Sequence, residues 1–330
     1  MRELDVSGKC VFTGSLWHPD RLVESAWLEH APFAFWLVRQ LKPKTFVELG
    51  AHNGFSFSAF CQAVQQLDLG TTCTAVDTWQ GDEHAGFYGE DIYSELSSYI
   101  ERYAGFARLL RMTFEDARNE VADKSVDLLH VDGRHFYDDV KYDFESWVPK
   151  LTDNAIVLFH DTTVFERDFG VHQFWKELSD RYPSFEFLHG HGLGVACIGD
   201  TPPEGLRPLF EAARSADETE SIRLTYARLG KTVSDLFARQ ARIRDLEGQC
   251  VSSLQRIEQL QAEHTLALDE EKNHRAEEVE ALRAALEASH LEHRADVQAF
   301  EQSLSWRVTA VLRSGPVTAI RRAFGSNRTS

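Results

Sequence analysis

The feature that most constrains this chain is a short apolar run, Thr45–Leu49, that ends in Glu48-Leu49-Gly50-Ala51-His52-Asn53-Gly54 and passes at once into a helical pattern, Phe55–Leu67. A strand that turns through two glycines into a helix places helix N-terminal N–H groups at the carboxyl edge of a sheet. The alternation continues. Strands are predicted at Thr72–Val76, Arg108–Met112, Val126–Val131 and Ala155–Phe159. Helices are predicted at Ile92–Ala104, Phe114–Val121, Phe136–Val148 and Val171–Arg181. Short apolar strands alternating with helices make a mostly parallel sheet covered on both faces. The closing pair, Phe185–His189 and Gly192–Ile198, is joined too tightly to be anything but antiparallel. The predicted class is α/β: a doubly wound, mostly parallel, seven-stranded Rossmann-like sheet.

The pattern changes on either side of this unit. Residues 1–44 form a helical entry segment, with Trp27–Leu41 as its helix and Lys42-Pro43-Lys44 as the stop. Thr201-Pro202-Pro203 closes the domain predicted over 45–205. Leu229, Val233, Leu236 and Ile243 then begin an apolar seam that Leu246, Cys250, Leu254 and Ile257 continue and Val279, Leu282 and Leu286 resume. Charged residues fill much of the remainder, so a coiled coil is expected over 219–303, for self-association or for a partner. The tail 304–330 mixes apolar residues with Arg307, Arg313, Arg321, Arg322 and Arg328 and contains no acid. A basic amphipathic segment of that kind suits an anionic membrane surface; the alternatives are a capped coiled-coil end or a disordered terminus.

A net charge of −17 argues against a general nucleic-acid binder, which needs clustered Lys and Arg. The five cysteines are scattered and form no C-x-x-C pair, which points to a reducing cytoplasm. No signal-peptide core or spanning apolar run is evident, so the expected location is cytoplasmic, with the tail offering peripheral contact at the inner face of the membrane.

The cofactor readings centre on the glycine loop. The second strand leads to Asp77, close to the position about 20 residues beyond such a loop where an acid meets ribose hydroxyls. A dinucleotide enzyme usually shows G-x-G-x-x-G, whereas Ala51-His52-Asn53 stands between Gly50 and Gly54 here. Glu48 would repel a pyrophosphate, yet suits a cofactor carrying an ammonium and a sulfonium, such as S-adenosylmethionine. Glu115 and Asp116, after the third strand, stand where an adenine ring is usually held; Asp116 reads equally as a helix N-terminal acid.

The fourth and fifth strands run out into Val131-Asp132-Gly133-Arg134-His135 and Phe159-His160-Asp161-Thr162. Both bring acid and imidazole groups to the edge where ligands sit in open α/β sheets. Asp132 and Asp161 could share a divalent ion such as Mg²⁺, and His135 or His160 could take a proton from a substrate hydroxyl. His130, inside its strand, reads as a satisfied core histidine.

Phe46–Ser56, the run Val131–Val140 and Leu158–Thr162 together resemble bacterial class I S-adenosylmethionine-dependent methyltransferases of the catechol/macrocin O-methyltransferase-like group, over roughly residues 30–200. The resemblance implies that Glu48, Gly50 and Asp77 hold the cofactor and that Asp132 and Asp161 occupy metal-ligand positions. Where metal-dependent members usually carry Asn or Asp after the second acid, this chain has Thr162. The coiled coil followed by Ser303–Thr309 looks like extensions of bacterial surface-glycan enzymes, which implies a sugar hydroxyl of a cell-surface glycan or glycolipid as acceptor. The loop 77–91, with Trp79, Phe87 and Tyr88, reads as a lid or as a merely exposed loop. Two rivals remain: a non-catalytic coiled-coil adaptor, and an oxygenase on the same fold. The latter needs a two-His-one-carboxylate set that spacing alone does not reveal.

Overall fold

The computed structural model describes residues 10–82, 86–166, 168–303, 305 and 307–309. Its contacts divide the chain into two units, Met1–Arg244 and Asp245–Ser330.

The first unit is built on strands β1 (Thr45–Leu49), β2 (Thr72–Asp77), β3 (Ala107–Arg111), β4 (Val126–Val131), β5 (Leu151–His160), β6 (Ser184–Phe187) and β7 (Leu193–Cys197). They form one sheet in the order β3-β2-β1-β4-β5-β7-β6. Among the described residues, β7 runs antiparallel to the other six strands of this sheet, which are parallel to one another. This is a doubly wound, Rossmann-like α/β fold. The strand order reverses between β1 and β4, so the crevice outside their carboxyl ends is the ligand position of such a sheet.

Alternate side chains serve two cores. Phe46 of β1 and Leu128 of β4 point into one, with α1 (Ala31–Leu41), α2 (Phe55–Gln66) and α3 (Glu90–Ile100). Val47, Leu49, Leu129 and Val131 point into the other, with α4 (Phe114–Ala117), α5 (Tyr137–Trp147) and α6 (Val171–Ser179). Helix α5 shows why the sequence folds this way. Val140, Phe144 and Trp147 fall on one face and are buried, while acids occupy its first turn. Burying each such side chain contributes about 1.5–3 kcal/mol. Helix α1 is apolar nearly all round because it is buried nearly all round, and it ends where Lys42 turns left-handed at φ 48° and donates to the Val38 carbonyl.

Some boundaries depart from the sequence reading. Strand β5 begins at Leu151, and β2 includes Asp77. The loop 77–91 carries a small hairpin, Gly81–Asp82 with Gly86–Phe87. A short helix, α7 (Arg207–Ala212), follows the prolines and buries Leu209 and Phe210, so the compact unit does not close at 205. Nor does the entry segment stand apart, since α1 is core.

The final helix, α8, spans Ala216–Gln302. Its first turns belong to the first unit: Tyr226 and Val233 are buried there, and Leu229 packs against the same core. The start of the expected coiled-coil seam is thus used within the chain. Apolar stripes look alike whether they meet another helix or a domain surface, so periodicity could not make the distinction. In the second unit the seam residues Leu254, Ile257, Leu282 and Leu286 are exposed. Most of the tail 304–330 lies outside the described residues. Among the described residues no helix is long and apolar enough to cross a membrane.

Candidate functional site

The glycine loop is shaped first by the protein's own packing. Gly50 adopts φ +90°, and a Cβ there would lie 2.0 Å from the Asp132 carbonyl oxygen. Gly54 adopts φ +71°, and its Cβ would lie 2.2 Å from Leu96. The ends of β1 and β4 approach so closely that the loop demands glycine before any ligand arrives. Close approach of a cofactor is not needed to explain either residue.

Asp77 organises the loop from the neighbouring strand. Its Oδ2 accepts N–H groups from Ala51 at 2.9 Å and His52 at 3.0 Å, and its Oδ1 accepts from Trp79 at 2.7 Å. With about two lone pairs per carboxylate oxygen, one position on Oδ1 remains. Asp77 therefore has room for one ligand hydroxyl, not the two that its place in the sequence suggested. Trp79 is buried and donates to the His52 carbonyl, so it fastens the loop and is no lid. Phe87 is exposed, whereas Tyr88 lines the cavity beside His52.

Two cavities open at this edge. The first, of about 380 Å³, has Gly50, Asp77, Thr113, Phe114, Glu115 and Asp143 among its walls. The second, of about 470 Å³, has Trp27, Ala51, Asn53, Gly54, His160 and Asp161 among its walls. Gly50, His52, Asp132 and His135 line both. The first has the features an adenosyl cofactor requires: a small-molecule volume, a glycine-edged backbone and a residual acceptor on Asp77.

The expected cofactor residues divide between these places. Gly50, Asp77 and Glu115 line the first cavity. Ala51, Asn53 and Gly54 line only the second, and Asn53 is tied by its side-chain amide to the Glu24 carbonyl. Asp116 lies on neither wall. It accepts from the Thr113 hydroxyl at 2.8 Å, and its own N–H donates to that oxygen at 3.1 Å, closing the N-terminus of the helical turn Phe114–Ala117. Glu48 also faces neither cavity. It is fully buried, accepts from Ser56 Oγ at 3.0 Å and lies 3.0 Å from His130 Nδ1. The parallel register that makes Glu48 and His130 cross-strand partners fixes this pair. Trp27 Nε1, which can only donate, lies 3.1 Å from His130 Nε2. His130 is therefore neutral, with its proton on Nδ1 pointing at Glu48. Burial pushes the Glu48 carboxyl up against the opposing pull of His130 and Ser56.

At the junction of the cavities four groups converge. His135 Nε2 lies 2.9 Å from Asp161 Oδ2 and 3.6 Å from Asp132 Oδ1. His160 Nδ1 lies 3.4 Å and 3.5 Å from the same two oxygens. Asp132, His135 and Asp161 have the mutual spacing of metal ligands. Asp161 sits in the left-handed region at φ 63°, a costly conformation for a non-glycine residue. Burial works against charge on His135, but the hydrogen bonds to Asp132 and Asp161 outweigh it and hold the imidazole up at about 9. His160 is raised in the same way, and both carboxyls are lowered despite burial. As drawn, the imidazoles hold protons and do not stand as free bases.

Asp143 of α5 also lines the first cavity, and its carboxyl is pushed up to about 7, by burial first and then by Asp139, against Arg134.

Residues 47–162, which contain the glycine loop, Asp77 and the His/Asp cluster, match the family model described as a methyltransferase domain. An uncharacterized protein of Sinorhizobium fredii, y4gI, is 57% identical over 198 residues, covering 60% of this chain. The chain spans 22% of that relative's length. Among solved structures, the O-methyltransferase TomG of Streptomyces achromogenes, in complex with SAM, is 16% identical with a TM-score of 0.40, covering 55% of this chain and 83% of its own. A methyltransferase from Geobacter sulfurreducens is 16% identical with a TM-score of 0.39, covering 53% of this chain and 80% of its own.

Proposed function

We propose that this chain is an S-adenosylmethionine-dependent O-methyltransferase, with the donor in the first cavity and a hydroxylated acceptor in the second. The observation that carries the reading is the shared wall of Gly50, His52, Asp132 and His135, which puts the His/Asp cluster where the two cavities meet. When bound, the cofactor supplies a methyl group on a positively charged sulfur, open to in-line attack. The chain's own work is alignment and proton handling. Asp77 offers its remaining acceptor to a ribose hydroxyl, and Thr113, Phe114 and Glu115 bound the adenine end. Asp132 and Asp161 would accept the acceptor's O–H, and His135 or His160 would take its proton after releasing the one it holds.

Glu24, Ser25, Asn53, Glu166 and His191 line the second cavity with hydrogen-bonding groups, which favours a polyhydroxyl acceptor such as a glycan or glycolipid sugar. The exposed seam of the second unit favours self-association or a helical partner. Sedimentation of the full chain against one ending at residue 244 tests this; an unchanged subunit number rejects it.

Calorimetric titration with S-adenosylmethionine and S-adenosylhomocysteine tests the cofactor. Binding near micromolar strength, weakened about 10-fold or more in Asp77→Ala, is expected. Failure of both ligands to bind defeats the reading and leaves the coiled-coil adaptor in its place.

A further inference from the structure

We propose that the exposed seam of α8 pairs with the same helix of a second copy of this chain, parallel and in register, as a right-handed rather than a left-handed supercoil. The inference rests on the self-association reading of the second unit. It does not depend on what either cavity binds.

The period of the seam comes first. Leu246, Ile257, Leu268 and Val279 recur every 11 residues, and Leu286 and Val297 repeat that interval. All six are exposed. An 11-residue repeat is about 3.67 residues per turn, slightly more than the 3.6 of a straight helix. The stripe therefore drifts slowly around α8, in the sense opposite to that of a heptad, and two such stripes stay in contact by a gentle right-handed winding.

Charge decides the occupant and its direction. The apolar stripe is interrupted between Leu268 and Val279. At about 100° per residue, Arg275 falls on the seam. Glu271 and Glu278 lie on one flank of it, and Lys272 and Arg283 lie on the other. All five are exposed. A two-fold axis along the helices sets the acidic flank of one copy against the basic flank of the other. Parallel pairing thus brings Glu278 opposite Arg283 of the second copy and Glu271 opposite its Lys272, each twice by symmetry. Antiparallel pairing would set acid against acid and base against base. Flanking charges of this kind select partner and orientation in paired helices. Within its own helix Arg283 reaches Glu280 only at 3.8 Å, and Glu278 makes no ion pair among the described residues. Arg275 lies 2.6 Å from Glu271 of its own helix, so this central charge enters the pair already balanced.

Cys250 supplies a native reporter. It lies on the same stripe and is exposed, whereas the other four cysteines are buried. In register it faces Cys250 of the second copy, within the roughly 4.4–6.8 Å between Cα atoms that a disulfide spans. The test treats the full-length chain with diamide, which takes up the two electrons and two protons released as the thiols join. A denaturing gel reads the product, beside sedimentation of the reduced chain. Expected results are a reduced dimer and a covalent dimer that dithiothreitol reverses and Cys250→Ser lacks. Glu278→Arg should weaken association about 10-fold, and Glu278→Arg combined with Arg283→Glu should restore it. A reduced assembly of other than two chains, a dimer without the Cys250 link, or a double reversal no better than the single one overturns the parallel pairing. A reduced chain that stays monomeric at every concentration defeats the self-association reading as well. Calorimetry with the cofactor is unaffected by either failure.

Discussion

Glu48–His130 and the Asp132–His135–His160–Asp161 cluster use the same chemistry two residues apart at the end of β4, yet they do opposite things. Each brings imidazole nitrogen to within 2.9–3.0 Å of a carboxylate oxygen. In the first, both side chains are fully buried, both imidazole nitrogens have partners, and neither residue reaches a cavity. In the second, two carboxylates and two imidazoles look onto one cavity or both. What marks a site is bonding capacity that faces space, not the kind of residue. A paired group with nothing left over holds strands together.

The comparison breaks most visibly at Glu48. Replacing it with Ala strands the His130 N–H and the Ser56 hydroxyl in the core, and should destabilise the fold by about 1–3 kcal/mol for each group left unpaired. Glu48→Gln keeps an acceptor for His130 and should cost clearly less. Urea unfolding of both variants measures this. If Glu48→Ala unfolds like the parent but no longer binds cofactor, Glu48 is a ligand after all and the contrast collapses.

The open cluster should respond in the other currency. His135→Ala is expected to lower methyl transfer by about 10²–10³-fold, with a stability change smaller than that of Glu48→Ala. Rates on an accepted sugar, set beside unfolding curves, separate the two effects. A variant that loses stability and activity in proportion would put the cluster in the same structural role as the buried pair.

Much of this contrast was legible beforehand, and the rest was hidden for a physical reason. The turn from β1 into α2, and the acids Asp77, Asp132 and Asp161 at strand ends, follow from local pattern, because strand ends and glycine turns are local events. The core role of His130 was also legible. Its partner was not: Glu48 lies 82 residues away, and only parallel register joins them. The charge of Glu48 suits a cofactor, but burial spends it on His130 and Ser56 instead. His135 and His160 likewise meet only once β4 and β5 pair. Trp79 misled because an aromatic in a polar loop reads as a lid, whereas its indole N–H is spent on the glycine loop. The seam of α8 misled at its start because Val233 packs on the domain itself.

Asp143 sharpens the comparison with the smallest effect: it is a carboxylate in the first cavity without an imidazole partner. Burial, then Asp139, raises it to about 7 from an ordinary 3.8. The folded chain therefore holds this proton more tightly than the unfolded chain does, and stability must fall as pH rises between those values. The cost is absent below the ordinary carboxylate range and complete above about 7. Asn at this position has nothing to ionise, so Asp143→Asn should match the parent in acid and exceed it at about pH 8. One pKa unit corresponds to about 1.4 kcal/mol; allowing for partial exposure, the gain should be on the order of 2 kcal/mol. Thermal unfolding of parent and variant across pH measures it. A difference that ignores pH means that Asp143 does not titrate in this range. A variant less stable in alkali means that the carboxylate has a favourable partner, with Arg134, whose charge opposes the upward shift, as the candidate. Either result would place Asp143 with the closed pair, and the rule that an unpartnered carboxylate facing a cavity is held at a cost to the fold would fail here.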